Sequence, residues 1–188
     1  MLPTIVLVHG AFAESASWDG VIDPLVAEGH RVVAAANPLR GLAADAAAIS
    51  DLVRAIEGPV VLVGHSYGGS VISNVDSDAG EIAGLVYVCA FAPDAGENCF
   101  QLAGAQQALV EPSGERPLWK DVPSWFVIGE EDRIIPAAVQ RFEADRAGAR
   151  RTLECAGASH VAAVSHADAV ADLILEAARL PTAALRGA

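Results

Sequence analysis

Six short runs rich in β-branched and aliphatic residues recur along the chain, at Ile5–Val8, Arg31–Ala34, Val60–Val63, Leu85–Val88, Ser124–Ile128 and Arg150–Leu153. Most are continuously apolar rather than alternating, which is the pattern of strands buried on both faces, as in a parallel sheet. Ala-rich segments with helical spacing lie between them. Trp18, Ile22, Leu25 and Val26 share one helical stripe, and Leu42, Ile49, Leu52, Val53 and Ile56 mark a second helix. Val139, Phe142 and Ala147 mark a third, opened by Pro136, and Val170, Leu173, Ile174 and Ala177 a last one, ended by Pro181. Strand and helix alternate along nearly the whole chain. That order predicts an α/β architecture: an open, mainly parallel sheet of about six strands covered by helices on both faces.

A chain of 188 residues fits one domain, expected over 1–180 with a frayed tail at 181–188. The least regular stretch, Pro93 to Val122, lies between two strands and so reads as a long connection within that domain. Hydrophobic residues at 53% against 19% charged exclude a disordered chain. The charge sum of 12 − 24 = −12 argues against nucleic acid and anionic membrane surfaces as partners, because both need local positive charge. No apolar run approaches the ~18–20 residues of a membrane span, and the first ten residues read as a strand rather than a leader. Cys89, Cys99 and Cys155 are odd in number and form no C-x-x-C. Neither a metal site nor a disulfide frame is expected, and a reducing cytoplasm is the expected location.

The most informative residues are Gly64-His65-Ser66-Tyr67-Gly68-Gly69, which contain G-x-S-x-G. The pentapeptide alone is weakly specific. Its context is stronger, because it directly follows the strand Val60–Val63 and precedes Ser70–Val75, read as a helix. A sharp strand-to-helix turn strains the serine backbone and brings its neighbours two before and two after into close approach, so both must be glycine. Ser66 then projects above the sheet at a helix start, where amide hydrogens favour a developing anion. The bland reading is a glycine-rich helix entry that binds nothing.

With these pieces in place the sequence resembles the α/β-hydrolase superfamily, and within it small bacterial esterase-like members akin to the plant methylesterase and hydroxynitrile lyase branch. The resemblance covers nearly the whole chain. It rests on the order of five pieces: Ile5-Val-Leu-Val-His-Gly-Ala11, Val63-Gly-His-Ser-Tyr-Gly-Gly69, Ala90-Phe-Ala-Pro-Asp-Ala-Gly96, Gly129-Glu-Glu-Asp-Arg-Ile-Ile-Pro136 and Gly157-Ala-Ser-His160.

A serine hydroxyl needs a base, and the chain offers five histidines. His9 lies in the turn from which the family builds its oxyanion loop. His30 reads as a solvent-facing residue at a helix exit. His65 adjoins the nucleophile, and adjacent elbow side chains diverge. His166 sits near the start of the final helix. His160, in the loop past the last strand at the edge where the elbow lies, is the expected base. Asp132 is the expected acid: it lies in the turn after the Ser124–Ile128 strand, and the order Ser66, Asp132, His160 matches the superfamily. Glu130 and Glu131 share that turn as solvated charges, and Asp94 is the alternative, at a point where some members carry their acid. The resemblance further implies an oxyanion hole from the backbone N–H groups of Ala11 and Tyr67. Phe12, Trp18 and Phe91 are candidate pocket walls, with helix core as the other reading of Trp18.

Larger family members insert a helical cap where this chain has Pro93 to Val122. Here there is room for about one short helix, near Gln101 to Val110 at ~1.5 Å rise per residue, so a minimal cap or none is expected, with Ser66 in an open cleft. Apolar residues there (Phe100, Leu102, Leu109, Val110 and Trp119) either form a patch through which 93–122 self-associates into a homodimer or fold down over the sheet. The leading functional expectation is a serine hydrolase acting on a small ester, lactone or thioester through an acyl-Ser66 intermediate, with no cofactor. One alternative is a hydroxynitrile-lyase type of enzyme, which calls for a lysine near the site, where the chain has only Lys120. The other is a receptor-like protein that retains the triad.

Overall fold

All six apolar runs are strands: β1 (Thr4–Val8), β2 (Val32–Ala35), β3 (Pro59–His65), β4 (Glu81–Val88), β5 (Ser124–Gly129) and β6 (Arg151–Cys155). The computed structural model describes residues 1–99 and 111–179. The strands form one sheet in the order β2-β1-β3-β4-β5-β6, and every pairing is parallel.

Among the described residues the helices are α1 (Asp19–Ala27, led in by a 3-10 turn at Ser15–Trp18), α2 (Leu42–Arg54), α3 (Tyr67–Ser73), α4 (Ala137–Arg146), α5 (Ala162–Ser165) and α6 (Ala167–Ala178). They divide between the two faces, and the strands explain why. Side chains alternate sides along a strand. Val6, Val8, Val60, Leu62, Leu85 and Tyr87 therefore pack with Leu42, Ile49, Val53, Val71, Ile72 and Ala144 from α2, α3 and α4. Ile5, Leu7, Val61, Val63, Val86 and Val88 pack on the opposite side with Val21, Leu25, Ala162, Val170 and Ile174 from α1, α5 and α6. Two buried faces require apolar residues at every strand position, which accounts for the continuous runs.

Two sequence expectations are corrected, and one open alternative is decided for a single residue. His30 is buried, not solvent-facing. Helix α1 ends in a Schellman turn, with Gly29 at φ +86°, its N–H on the Val26 carbonyl and the His30 N–H on the Leu25 carbonyl. That turn folds the imidazole back under the chain, where Nδ1–H donates to the Pro3 carbonyl at 2.9 Å. Phe142 is exposed on α4, beneath the Arg146 guanidinium at 5.0 Å. The face that α4 turns inward carries Gln140, Glu143 and Ala144 instead. Of the two readings of Trp119, a surface patch or folding down over the sheet, the second is the one observed. It is buried, and its indole N–H donates to the Pro93 carbonyl at 3.0 Å, so it fills space beside the sheet. The expected short helix near Gln101 to Val110, the apolar residues Phe100, Leu102, Leu109 and Val110, and the tail 181–188 lie outside the described residues.

The described parts of the 93–122 connection pair with each other. The Gly96 N–H meets the Ser113 carbonyl and the Ser113 N–H meets the Glu97 carbonyl. The Gly114 N–H reaches Asn74 Oδ1 at 2.6 Å and so ties the returning chain to the end of α3. Among the described residues no helix is long and apolar enough to cross a membrane.

Candidate active site

The chain leaves β1 toward β2 on one side and β3 toward β4 on the other, so a crevice opens between the carboxyl ends of β1 and β3. Two segments meet there, the loop after β1 and the turn after β3. Ser66 occupies that turn at φ 55°, ψ −124°, immediately before α3. A side chain other than glycine rarely adopts this conformation. A β-carbon on Gly64 would lie 2.5 Å from the Gly68 carbonyl oxygen, and one on Gly68 2.4 Å from the Val8 carbonyl oxygen. Both contacts are with backbone, so both positions must be glycine for the turn to close. The Ser66 hydroxyl has no hydrogen-bond partner among the described residues.

The amides of Ala11 and Tyr67 lie on either side of this crevice. Neither N–H is taken by a backbone hydrogen bond among the described residues. Each is held by its surroundings. The Tyr67 side chain is buried, and its hydroxyl donates to Asp45 Oδ2 at 2.8 Å, while Asp45 Oδ1 accepts the Arg40 N–H. The loop of Ala11 is braced by buried His9. Its Nε2 accepts the Asn37 N–H at 3.1 Å, so the ring proton sits on Nδ1 and points to the Gly10 carbonyl at 2.9 Å.

On the far side of β3, the turn after β5 and the loop after β6 set Asp132 against His160. Asp132 Oδ1 accepts the N–H groups of Ile134 (2.8 Å) and Ile135 (2.9 Å). Oδ2 accepts Gln140 Nε2 at 2.9 Å and lies 2.8 Å from His160 Nδ1. Four donors on a fully buried side chain satisfy an ionised carboxylate. The Nδ1 proton of His160 therefore points at Asp132, and the lone pair is on Nε2. No hydrogen bond joins Ser66 Oγ to His160 among the described residues; in unliganded sites such bonds are often long.

The alternative acids and the alternative base lie elsewhere. Asp94 pairs with Lys120, which sits 5.3 Å over the Trp119 ring. Glu130 and Glu131 are exposed, and His166 Nδ1 contacts Ser165 Oγ at 2.9 Å. Among the described residues no cluster of His, Cys, Asp or Glu is arranged to hold a metal ion, and all three cysteines are free and buried.

A cavity of about 250 Å³ adjoins the crevice. Ala11, Phe12, Leu42, Tyr67, Pro93 and Cys99 are among its walls; Ser66 and His160 are not. Phe12 thus stands on a cavity wall while remaining 95% exposed. Trp18 and Phe91 do not line this cavity. Trp18 is wholly buried in the core on the α1 and α6 side, so the core reading holds for it. Phe91 packs into the opposite core beside α3 and α4.

Gln140, Asp45 and Asn37 were not anticipated in these roles. An acidic residue in the first turn of α2 and a proline-led α4 were legible. The pairing of those helices with the site was not, since nothing local in either segment names its distant partner.

A sequence model of the alpha/beta hydrolase family matches residues 5–110 and 99–173. A carbendazim-hydrolysing esterase of Nocardioides sp. (strain SG-4G) is 35% identical over 114 residues, which are 54% of this chain and 47% of that protein. The match thus spans under half the length of that relative. Among solved structures, a pyrethroid hydrolase from Sphingobium faniae JZ-2 superposes with a TM-score of 0.81 at 18% identity, covering 97% of this chain and 100% of the other. A methylesterase from Arabidopsis superposes with a TM-score of 0.72 at 16% identity, covering 94% and 98%. At these identities the structural likeness is one of fold, and it extends to the plant methylesterase branch.

Proposed function

The chain belongs to the alpha/beta hydrolase family, and from that premise we propose that it is a serine hydrolase cleaving a small carboxylic ester, lactone or thioester. One observation carries the reading. Ser66 stands in a strained turn that only flanking glycines permit, its hydroxyl without a hydrogen-bond partner among the described residues, at the same sheet edge as an imidazole whose Nδ1 is held by a buried carboxylate. The esterase relative supports the reaction class.

In this reading Ser66 Oγ attacks the substrate carbonyl carbon as its proton passes to His160 Nε2. Asp132 keeps the Nδ1–H tautomer and stabilises the imidazolium that forms. The carbonyl oxygen becomes an oxyanion between the Ala11 and Tyr67 amides, which need no reorganisation to receive it. Collapse expels the alcohol or thiol, protonated by His160, and leaves acyl-Ser66. Water, deprotonated by the same imidazole, then attacks the acyl carbon and restores the serine.

The test has two arms. A fluorophosphonate probe should label wild-type protein and not Ser66→Ala. In a screen of short aryl esters, lactones and methyl esters, any activity found should fall on the order of 10⁴-fold in that variant. Labelling that survives Ser66→Ala sinks the assignment.

A further inference from the structure

The geometry points to His65 as a positioning residue: its imidazole ties the backbone of His160 to the strand that carries Ser66 and so sets the distance over which the serine proton travels. The inference rests on the serine-hydrolase reading and deepens it.

His65 and Ser66 are consecutive at the end of β3, and their side chains leave it in different directions. The His65 ring runs toward the loop after β6, where Nε2 lies 2.9 Å from the carbonyl oxygen of His160. A carbonyl oxygen only accepts, so Nε2 carries the proton. Among the described residues this is the one hydrogen bond made by the backbone of His160. The Asp132 contact holds that residue's ring; the His65 contact holds its main chain. Together they fix both ends of the residue, and one of them comes from the residue next to the nucleophile.

The surroundings keep His65 in place and uncharged. The ring is buried, and Trp18, wholly buried, meets it nearly at right angles (88°) with centroids 6.3 Å apart. A β-carbon on Gly10 would lie 3.2 Å from Nδ1, so the loop of Ala11 packs against the ring. Burial pushes the His65 pKa down to about 4; the nearby His160 and His9 add to the shift, while the His160 carbonyl and Asp132 oppose it. A neutral ring matters here because the two imidazole centroids are only 4.9 Å apart. When His160 takes the serine proton it becomes cationic, and a charged His65 at that distance would oppose the step.

Glutamine and leucine variants separate hydrogen bonding from bulk. Glutamine can place an N–H donor near the position of Nε2; leucine fills space and donates nothing. With p-nitrophenyl acetate as probe, His65→Leu should lower kcat by roughly ten- to a hundredfold, the scale of a misplacement near 1 Å, with KM little changed. His65→Gln should recover kcat to within about threefold of wild type. The idea is overturned if the leucine variant keeps kcat within about twofold of wild type, or if glutamine loses as much as leucine. A readout independent of hydrolysis keeps the two readings apart. Imidazole ¹⁵N NMR should show His65 as the neutral Nε2–H tautomer between about pH 5 and 8. Finding the Nδ1–H tautomer would overturn the link even in an active enzyme, while an inactive wild type with the Nε2–H tautomer would sink only the hydrolase reading.

Discussion

A β-carbon built on Gly10 stands 2.8 Å from the β-carbon of Ser66 and 3.2 Å from the backbone oxygen of His65. The first loop and the elbow are thus in direct contact with no side chain between them. Gly10→Ala has nowhere to put its methyl group, because the obstacles are a serine β-carbon and main chain rather than a flexible side-chain tip. The loop must retreat and take the Ala11 amide with it. We expect kcat on a probe ester to fall about 10²-fold, as for loss of one oxyanion donor, while circular dichroism shows the fold retained. An alanine variant of wild-type activity would mean that the Ala11 amide plays no part.

The two candidate acids are separable by one pair of variants. Asp132 receives four donors, His160 among them, whereas Asp94 faces Lys120 near the surface. Asp132→Asn should lower kcat by about 10⁴-fold through the wrong imidazole tautomer. Asp94→Asn removes an ion pair of a kind worth about 0–1 kcal/mol and should leave kcat essentially unchanged. The reverse order of damage would move the acid to the end of β4.

Gln140 offers a subtler test. Its amide nitrogen reaches both Asp132 Oδ2 (2.9 Å) and the Ile135 carbonyl (2.7 Å), so it fixes the carboxylate and the turn that carries it. Gln140→Leu keeps the bulk and removes the donor. We expect kcat to fall on the order of tenfold through loss of alignment, with KM held. An equal loss of thermal stability and no change in kcat would reduce Gln140 to a structural role.

These residues also mark what a sequence can disclose. The sheet was legible because strands buried on both faces leave no position for a polar side chain, so Val60–Val63 and Leu85–Val88 announce themselves. The elbow was legible because its steric demand falls on Gly64 and Gly68, two residues from the serine. Gln140 was invisible: its partner is set by how α4 docks against the turn after β5. Phe142 misled for the same reason. Helical spacing names a stripe, but the stripe that α4 buries is chosen by the hydrogen bonds of Gln140 and Glu143. His30 was misplaced because the Schellman turn that buries it depends on the left-handed Gly29, a conformation that Glu28-Gly29-His30 permits without declaring. His65 reads as a neighbour of the nucleophile, and only the return of the chain through β6 gives it a carbonyl to hold.

The buried face of α4 carries a pH dependence in stability. Glu143 is wholly buried. Its Oε1 accepts the Ala92 N–H at 2.9 Å, but Oε2 has no partner among the described residues. Burial pushes its pKa up to about 8; the Ala92 N–H and Arg146 pull the other way, and Glu97 adds to the rise. An unfolded glutamate titrates near ~4.3. Below that value both states hold the proton and the group contributes no pH dependence. As pH rises toward about 8 the unfolded chain releases its proton while the folded one retains it. The folded state then binds more protons, so stability falls across that window and levels off above it. Glu143→Gln keeps an oxygen for the Ala92 N–H and cannot ionise. In urea titrations from pH 5 to pH 8 the midpoint of wild-type protein should drop further than that of the variant, and the gap between them should widen with pH in favour of glutamine. Two parallel curves would mean that Glu143 ionises in the folded protein as readily as in the unfolded chain, and that the unpartnered oxygen finds a partner such as the nearby Arg146 guanidinium.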